Sequence, residues 1–187
     1  NKNGITKFVL LLEIDRYIGH VERQIDQIRR RVLNGEYIAH EEKIFSIFEE
    51  HTEWISKGKA GISQELGLRV CIVEDNHGFI LHHQVMQKET DDQIAVSIIL
   101  ETRKIFPELN SCSFDKGFYS PENMVQLKKV LGFVTMSKKG IRSASEKEVE
   151  NTEEFTLGKR KHSAVESAIN ALENHGLDRC PDHGIHG

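Results

Sequence analysis

From Leu11 onward the apolar residues fall at Leu11, Ile14, Ile18, Val21, Ile25, Ile28 and Val32, in alternating steps of three and four. That spacing keeps one helical face apolar over three heptads, and Asn34-Gly35 supplies the stop. Such a seam can pair with a partner helix or pack as a single arm on the rest of the chain, and the pattern leaves both open. After a polar connector at His40 to Lys43 the period changes. Ile44 to Phe48 is rich in β-formers, so IFSIFEEHTEW is expected to be extended.

Beyond the Gly- and Lys-bearing loop SKGKAGISQELG, two β-type runs, LRVCIVE and GFILHHQV, flank the polar turn Asp75-Asn76-His77-Gly78, which predicts a hairpin. Thr90 opens a helix with Asp91 and Asp92 in its first turn and Gln93 placed for a capping box; Pro107 ends it. SCSF reads as a short buried strand terminating at Asp115. Ser120-Pro121 starts a second helix, Gly132 stops it, and Phe133 to Met136 gives another strand. Residues 137 to 158 are basic, then Ser- and Glu-rich without an apolar period, which is the composition of a loop or insertion. HSAVESAINALENHG carries Val165, Ile169 and Leu172 on one stripe and predicts a last amphipathic helix. A hairpin followed by helix-linked strands implies an α/β fold, a mixed sheet with helices on its faces.

The 187 residues suit one domain plus an appendage, since single domains run to about 100 to 200 residues. No apolar run is long enough to cross a bilayer, so no membrane association is expected, and no secretory signal is visible. Three widely spaced cysteines, Cys71, Cys112 and Cys180, fit a reducing cytoplasm better than a disulfide framework. A net charge of −4 excludes a surface that is basic throughout and confines any nucleic-acid contact to local patches. Those patches are Arg29-Arg30-Arg31, Lys57 with Lys59, Lys138-Lys139 with Arg142, and Lys159-Arg160-Lys161-His162; taken singly, each reads as a solvated face. The start without Met and the Gly- and His-rich end are expected of a fragment of a longer protein.

Two acids stand out for chemistry. Asp115 is delivered to a strand tip, where ligands gather in α/β sheets, although an Asp there commonly just caps a turn. Glu166 sits about 100° round the last helix from Val165, at the margin of the apolar stripe. Carboxylate oxygens are the ligands hard divalent cations prefer, and two such ions can activate a water or hydroxyl and stabilise a leaving 3′ oxygen at phosphorus.

The run EKIFSIFEEHTEWISKGKAG, then ELGLRVCIVED, SFDKGF and KHSAVESAINALENHGLDRC, in that order from about Arg29 to the end, resembles the DDE transposases of bacterial insertion sequences, of the ISNCY-type group. The resemblance implies a ribonuclease-H-like core at 43–187, incomplete at both ends, behind a helical arm at 1–42 that is the tail of a helical insertion. It makes Asp115 the second acid of a catalytic triad and Glu166 the third, sharing two Mg²⁺ or Mn²⁺ ions. The first acid is expected on a strand upstream of Asn1; Glu49 is the competing choice. Lys57, Lys59, Lys116, Arg160, Lys161 and His162 would then flank double-stranded DNA, namely the element's terminal inverted repeats and the target. Synapsis implies a homodimer, and the location implied is the bacterial cytoplasm, at the nucleoid when bound. The alternative is a truncated or degenerate copy that binds DNA without cutting.

His175, Cys180, His183 and His186 match no standard zinc spacing and read as a polar loop. His82 and His83 alternate along a strand and are assigned no chemistry. Trp54 is expected to be a packing anchor.

Overall fold

The computed structural model describes residues 2–56 and 64–177, and the chain divides into two compact units between Leu68 and Arg69. The boundary expected at residue 42 is therefore not where the units part: the described residues 43–56 and 64–68 group with the helical arm.

The first unit is built on α1 (Lys2–Ile28), which runs on as a π-helical turn through Leu33 and stops at Asn34 and Gly35, the latter at φ +70°. The heptad seam is helical as expected, yet it is exposed along its length, from Leu11 at 63% to Val32 at 70%. What the arm buries is the neighbouring polar stripe. His20 is buried with its Nε2 3.2 Å from Glu50 Oε2, Tyr17 meets Phe48 edge-on, and Gln27 grips Ile44 by both backbone groups, donating to its carbonyl at 3.1 Å and accepting from its N–H at 2.6 Å.

That grip explains a correction. Ile44 to Phe48 forms no strand, because Gln27 takes the backbone of Ile44 and Ser46 Oγ accepts the N–H groups of Phe48 and Glu49, so side chains occupy the groups a sheet would need. The strand comes later, as β1 (Glu53–Ser56), paired antiparallel with β2 (Gln64–Gly67). Trp54 is not a buried anchor; it is 42% exposed and leans on Phe45. Nor is Arg30 a free cation, since Asp26, Glu36 and Glu42 surround its guanidinium.

In the second unit β3 (Arg69–Glu74) and β4 (Ile80–Met86) form the expected hairpin, with Asp75 Oδ1 accepting the N–H groups of His77 and Phe79 across the turn. Helix α2 (Asp91–Ile105) opens on a complete Thr90/Gln93 capping box and buries Ile94, Ala95, Ile98 and Ile99. Next come β5 (Ser111–Phe114), α3 (Pro121–Val130) capped by Ser120, and β6 (Phe133–Met136), which pairs with β5 in parallel. A parallel pair needs a crossover, and α3 is that crossover. The chain is thus a mixed α/β protein in which helix predominates. Among the described residues the strands form three separate two-stranded sheets, not the single mixed sheet that the element order predicts. No described helix is long and apolar enough to cross a membrane.

The segment expected to be loop is largely helical. α4 (Ala144–Glu150) has its own Ser143/Glu146 capping box, and α5 (Glu153–Leu172) starts well before the apolar stripe becomes visible. Lys138 Nζ binds both Glu146 oxygens at 2.8 and 2.9 Å, and Arg142 Nε lies 3.0 Å from Glu150, so Lys138 and Arg142 of this basic patch are matched internally. The Lys138 ammonium first, then the Ser143 backbone N–H, hold the Glu146 carboxyl down to about 2 from an ordinary 4.5. The folded state therefore favours ionised Glu146, a contribution complete above the unfolded value and lost as pH falls from about 4.5 to about 2. Thermal melts at low salt should lose stability across that window more steeply in the wild type than in Glu146→Gln, and the difference should vanish at high salt because the pair is solvent-accessible. Parallel slopes would remove the pair from the stability of the strap.

Candidate functional site

The apolar end of β5 fixes where the first acid points. Phe114 is buried and its ring packs 5.8 Å from that of Phe118, which anchors the strand tip. Asp115 follows in an extended conformation and caps the 3₁₀ turn Lys116–Phe118, its Oδ1 accepting the Lys116 N–H at 2.7 Å. Capping and availability coexist here: the residue is exposed, and the cap engages one oxygen of the carboxylate.

Helix α5 lies across β5 and β6. Gly158 permits the approach, because a Cβ there would meet the side chain of Thr135 on β6. One turn on, His162 Nδ1 is 3.3 Å from Ser113 Oγ on β5. This places a cleft of about 250 Å³ at the strand tips, lined by Asp115, Lys116, Ser137, Arg142, Lys159 and His162. A larger cleft of about 520 Å³ adjoins it, sharing Asp115 and His162 and adding Lys161.

Of the residues singled out from sequence, Asp115, Lys116, Lys161 and His162 are brought together around these clefts. Glu166 is exposed on α5 and lines neither, and the same is true of Arg160. Glu49 belongs to the other unit, where its carboxylate is 3.6 Å from His51 Nδ1. Lys57, Lys59, Cys180, His183 and His186 lie outside the described residues. Among the described residues, no group of three or more His, Cys, Asp or Glu side chains is arranged to hold a metal ion.

Two cations of the cleft, Lys159 and Arg142, belong to the basic patches noted in the sequence but were not expected at the site. Lys159 was within reach, since it opens the basic run before the last helix; extending the helix back to Phe155 puts Leu157, Gly158, Lys161, His162 and Val165 on one stripe. Arg142 had no such signal, because only the α4 strap carries it to the strand tips.

The thiols of Cys71 and Cys112 on the neighbouring strands are poor nucleophiles. Burial pushes Cys112 up to about 12 and Cys71 up to about 11, leaving both protonated at neutral pH.

Together these features define an α/β protein with a solvent-facing carboxylate at the end of a parallel strand pair, set among lysines, an arginine and a histidine. No family model, no curated protein and no solved structure matches the chain.

Proposed function

We propose that this chain is part of the ribonuclease-H-like catalytic core of a bacterial insertion-sequence DDE transposase, and that the Asp115 cleft receives a phosphodiester of double-stranded DNA. The observation that carries the reading is the clustering of Lys116, Lys159 and His162, with Arg142 paired to Glu150, in the cleft at the strand-end carboxylate, in a protein whose net charge is negative; Lys161 lies in the adjoining cleft. Cations concentrated at one cleft bind phosphate oxygens and position a duplex without reading its sequence. Apolar surface for the homodimer that synapsis requires is available on the exposed seam of α1.

Magnesium, when bound, would supply an activated water or hydroxyl and a stabilised leaving oxygen. The residues fit that group incompletely. Asp115 offers an exposed carboxylate of the right hard-oxygen chemistry, but Glu166 is outside the cleft and no described third ligand accompanies them. The reading therefore rests on phosphate binding. The same single carboxylate favours a second reading, a transposase-derived protein that binds DNA without cutting it.

The test uses a terminal-repeat duplex and the intact chain. Lys116→Ala, Lys159→Ala and Lys161→Ala should each weaken binding and reduce the slope of log affinity against log salt by about one. Unchanged slopes in all three would discard the phosphate cleft. Magnesium-dependent nicking that falls to background in Asp115→Ala and in Glu166→Ala supports the catalytic reading, with native gels counting one or two chains per complex. Nicking indifferent to both substitutions removes the acid assignment, and binding without nicking selects the second reading.

A further inference from the structure

Between β6 and α4 the chain makes a short basic loop, Ser137 to Arg142, with Ile141 at its tip. That side chain is 94% exposed, more than any other large hydrophobic side chain among the described residues. A single exposed isoleucine is ordinary on a protein surface and by itself asks for no explanation. This one is unusual in how it is held. Gly140 turns the chain at φ +83°, and a Cβ there would meet no neighbour, so the glycine serves the turn and not a close contact. One carboxylate pins both sides of the tip: Glu150 Oε1 accepts the Lys138 N–H at 3.1 Å and lies 3.0 Å from Arg142 Nε. Lys139 Nζ donates to the Gly117 carbonyl at 2.7 Å, which ties the loop to the 3₁₀ turn that Asp115 caps.

Anchoring of this kind is what an inserting residue needs. The loop has already given up its freedom, and β-branched Ile141 has few rotamers left to lose on entering a partner. Its place relative to the site is equally definite. Arg142 lines the cleft with Asp115, Lys116 and Lys159, and Ile141 is the adjacent residue, about 3.8 Å along the chain. The core of a protein interface requires a contiguous apolar patch, but the sequence neighbours of Ile141 are Lys138, Lys139, Gly140 and Arg142. A lone aliphatic tip among cations suits a duplex instead, with cations on the phosphates and the apolar group between bases.

We propose that Ile141 is a wedge that enters the minor groove of the duplex held at the Asp115 cleft and partly unstacks one base step, kinking the DNA beside the bound phosphate. The inference rests on the phosphate-binding reading and deepens it by naming what the site selects, a deformable step. Pyrimidine–purine steps such as TA unstack most easily, and mismatched bases more easily still, so the site discriminates by DNA deformability where no side chain reads a base edge.

The test uses the full chain and three short duplexes identical except at the central step, which is TA, GC or a T·T mismatch, each with 2-aminopurine beside it. Emission should rise when the TA and mismatched duplexes bind, and both should bind roughly fivefold or more tightly than the GC duplex. Ile141→Ala should fold and melt as the wild type does, because the side chain is exposed. It should lose the emission change and bring the three affinities within about twofold of one another, and Ile141→Leu should restore both. The slope of log affinity against log salt counts phosphate contacts, which Ile141 does not make, and so reports on the cleft separately. A steep salt slope without any emission change, or with a step preference that survives in Ile141→Ala, overturns the wedge and leaves the phosphate cleft standing. Failure of the wild type to bind any of the duplexes overturns both. Unstacking retained in Ile141→Ala while native gels show a dimer lost would assign the residue to a contact between copies of the chain, and the wedge would fall.

Discussion

Leu127→Ala is expected to destabilise the second unit by about 3 kcal/mol, within the 2–5 kcal/mol range of fully buried Leu-to-Ala changes. Leu127 is completely buried on α3, a ten-residue helix too short to be stable by itself in water. The helix is held by its inner face, where Leu127 joins Ile94, Ile98, Leu131 and Val134 in the core, and by Asn123, whose Nδ2 donates to the carbonyls of Asp92 and Phe118. Removing three carbons at the middle of that face leaves a cavity rigid helices cannot collapse into. The consequence reaches the site, because α3 is the crossover that sets β6 beside β5. Urea unfolding should show a midpoint lowered by about 1–2 M at unchanged slope. Val125→Ala on the exposed face of the same helix should stay within about 0.5 kcal/mol. Equal losses at both positions would mean that α3 is held by helix propensity and not by its buried face.

Gly158→Val is expected to cost about 2–3 kcal/mol and, on the proposed phosphate-binding reading, to weaken DNA binding at the same time. A glycine in the middle of a helix is normally a liability of about 1 kcal/mol relative to alanine, so its presence in α5 calls for a reason. The reason is contact: any Cβ at 158 would run into Oγ1, Cβ and Cγ2 of Thr135, which is itself 4% exposed on β6 and β-branched, with little freedom to turn away. The helix must then lift, separating His162 from Ser113 and moving Lys159 and Lys161 relative to Asp115. Gly158→Ala is the informative partner, because its gain in helix propensity opposes its clash. Combined with Thr135→Ala the clashes with Oγ1 and Cγ2 disappear and only the contact with Cβ stays, so the double variant should be more stable than the sum of the singles predicts. Strict additivity would show that Gly158 and Thr135 do not meet.

The second unit was readable where local chemistry and tertiary packing agree. Thr90 with Gln93, Ser120 with Pro121, and the Asp75 turn each commit their own neighbours through short-range hydrogen bonds, and these elements form with the boundaries their sequences imply. Failures cluster where a side chain distant in sequence competes. Ile44 to Phe48 has strand propensity, but Gln27, seventeen residues earlier, takes the backbone of Ile44. Residues 144–150 lack an apolar period because α4 is held by charge, through Lys138 and Arg142, and periodicity cannot register a helix that buries little.

What the sequence determined by itself is the set of elements with their own caps and stops, the delivery of Asp115 to a strand tip, and the presence of a basic run beside the apolar stripe of the last helix, since each depends on residues a few positions apart. Only the tertiary structure decided that the seam of α1 is exposed while its polar neighbours are covered, that Arg142 joins the cleft and Glu166 does not, and that the described strands pair in twos. The reason is physical: propensity and capping act over one or two turns of chain, whereas burial and edge pairing are decided by which distant segment packs most stably on a shared surface.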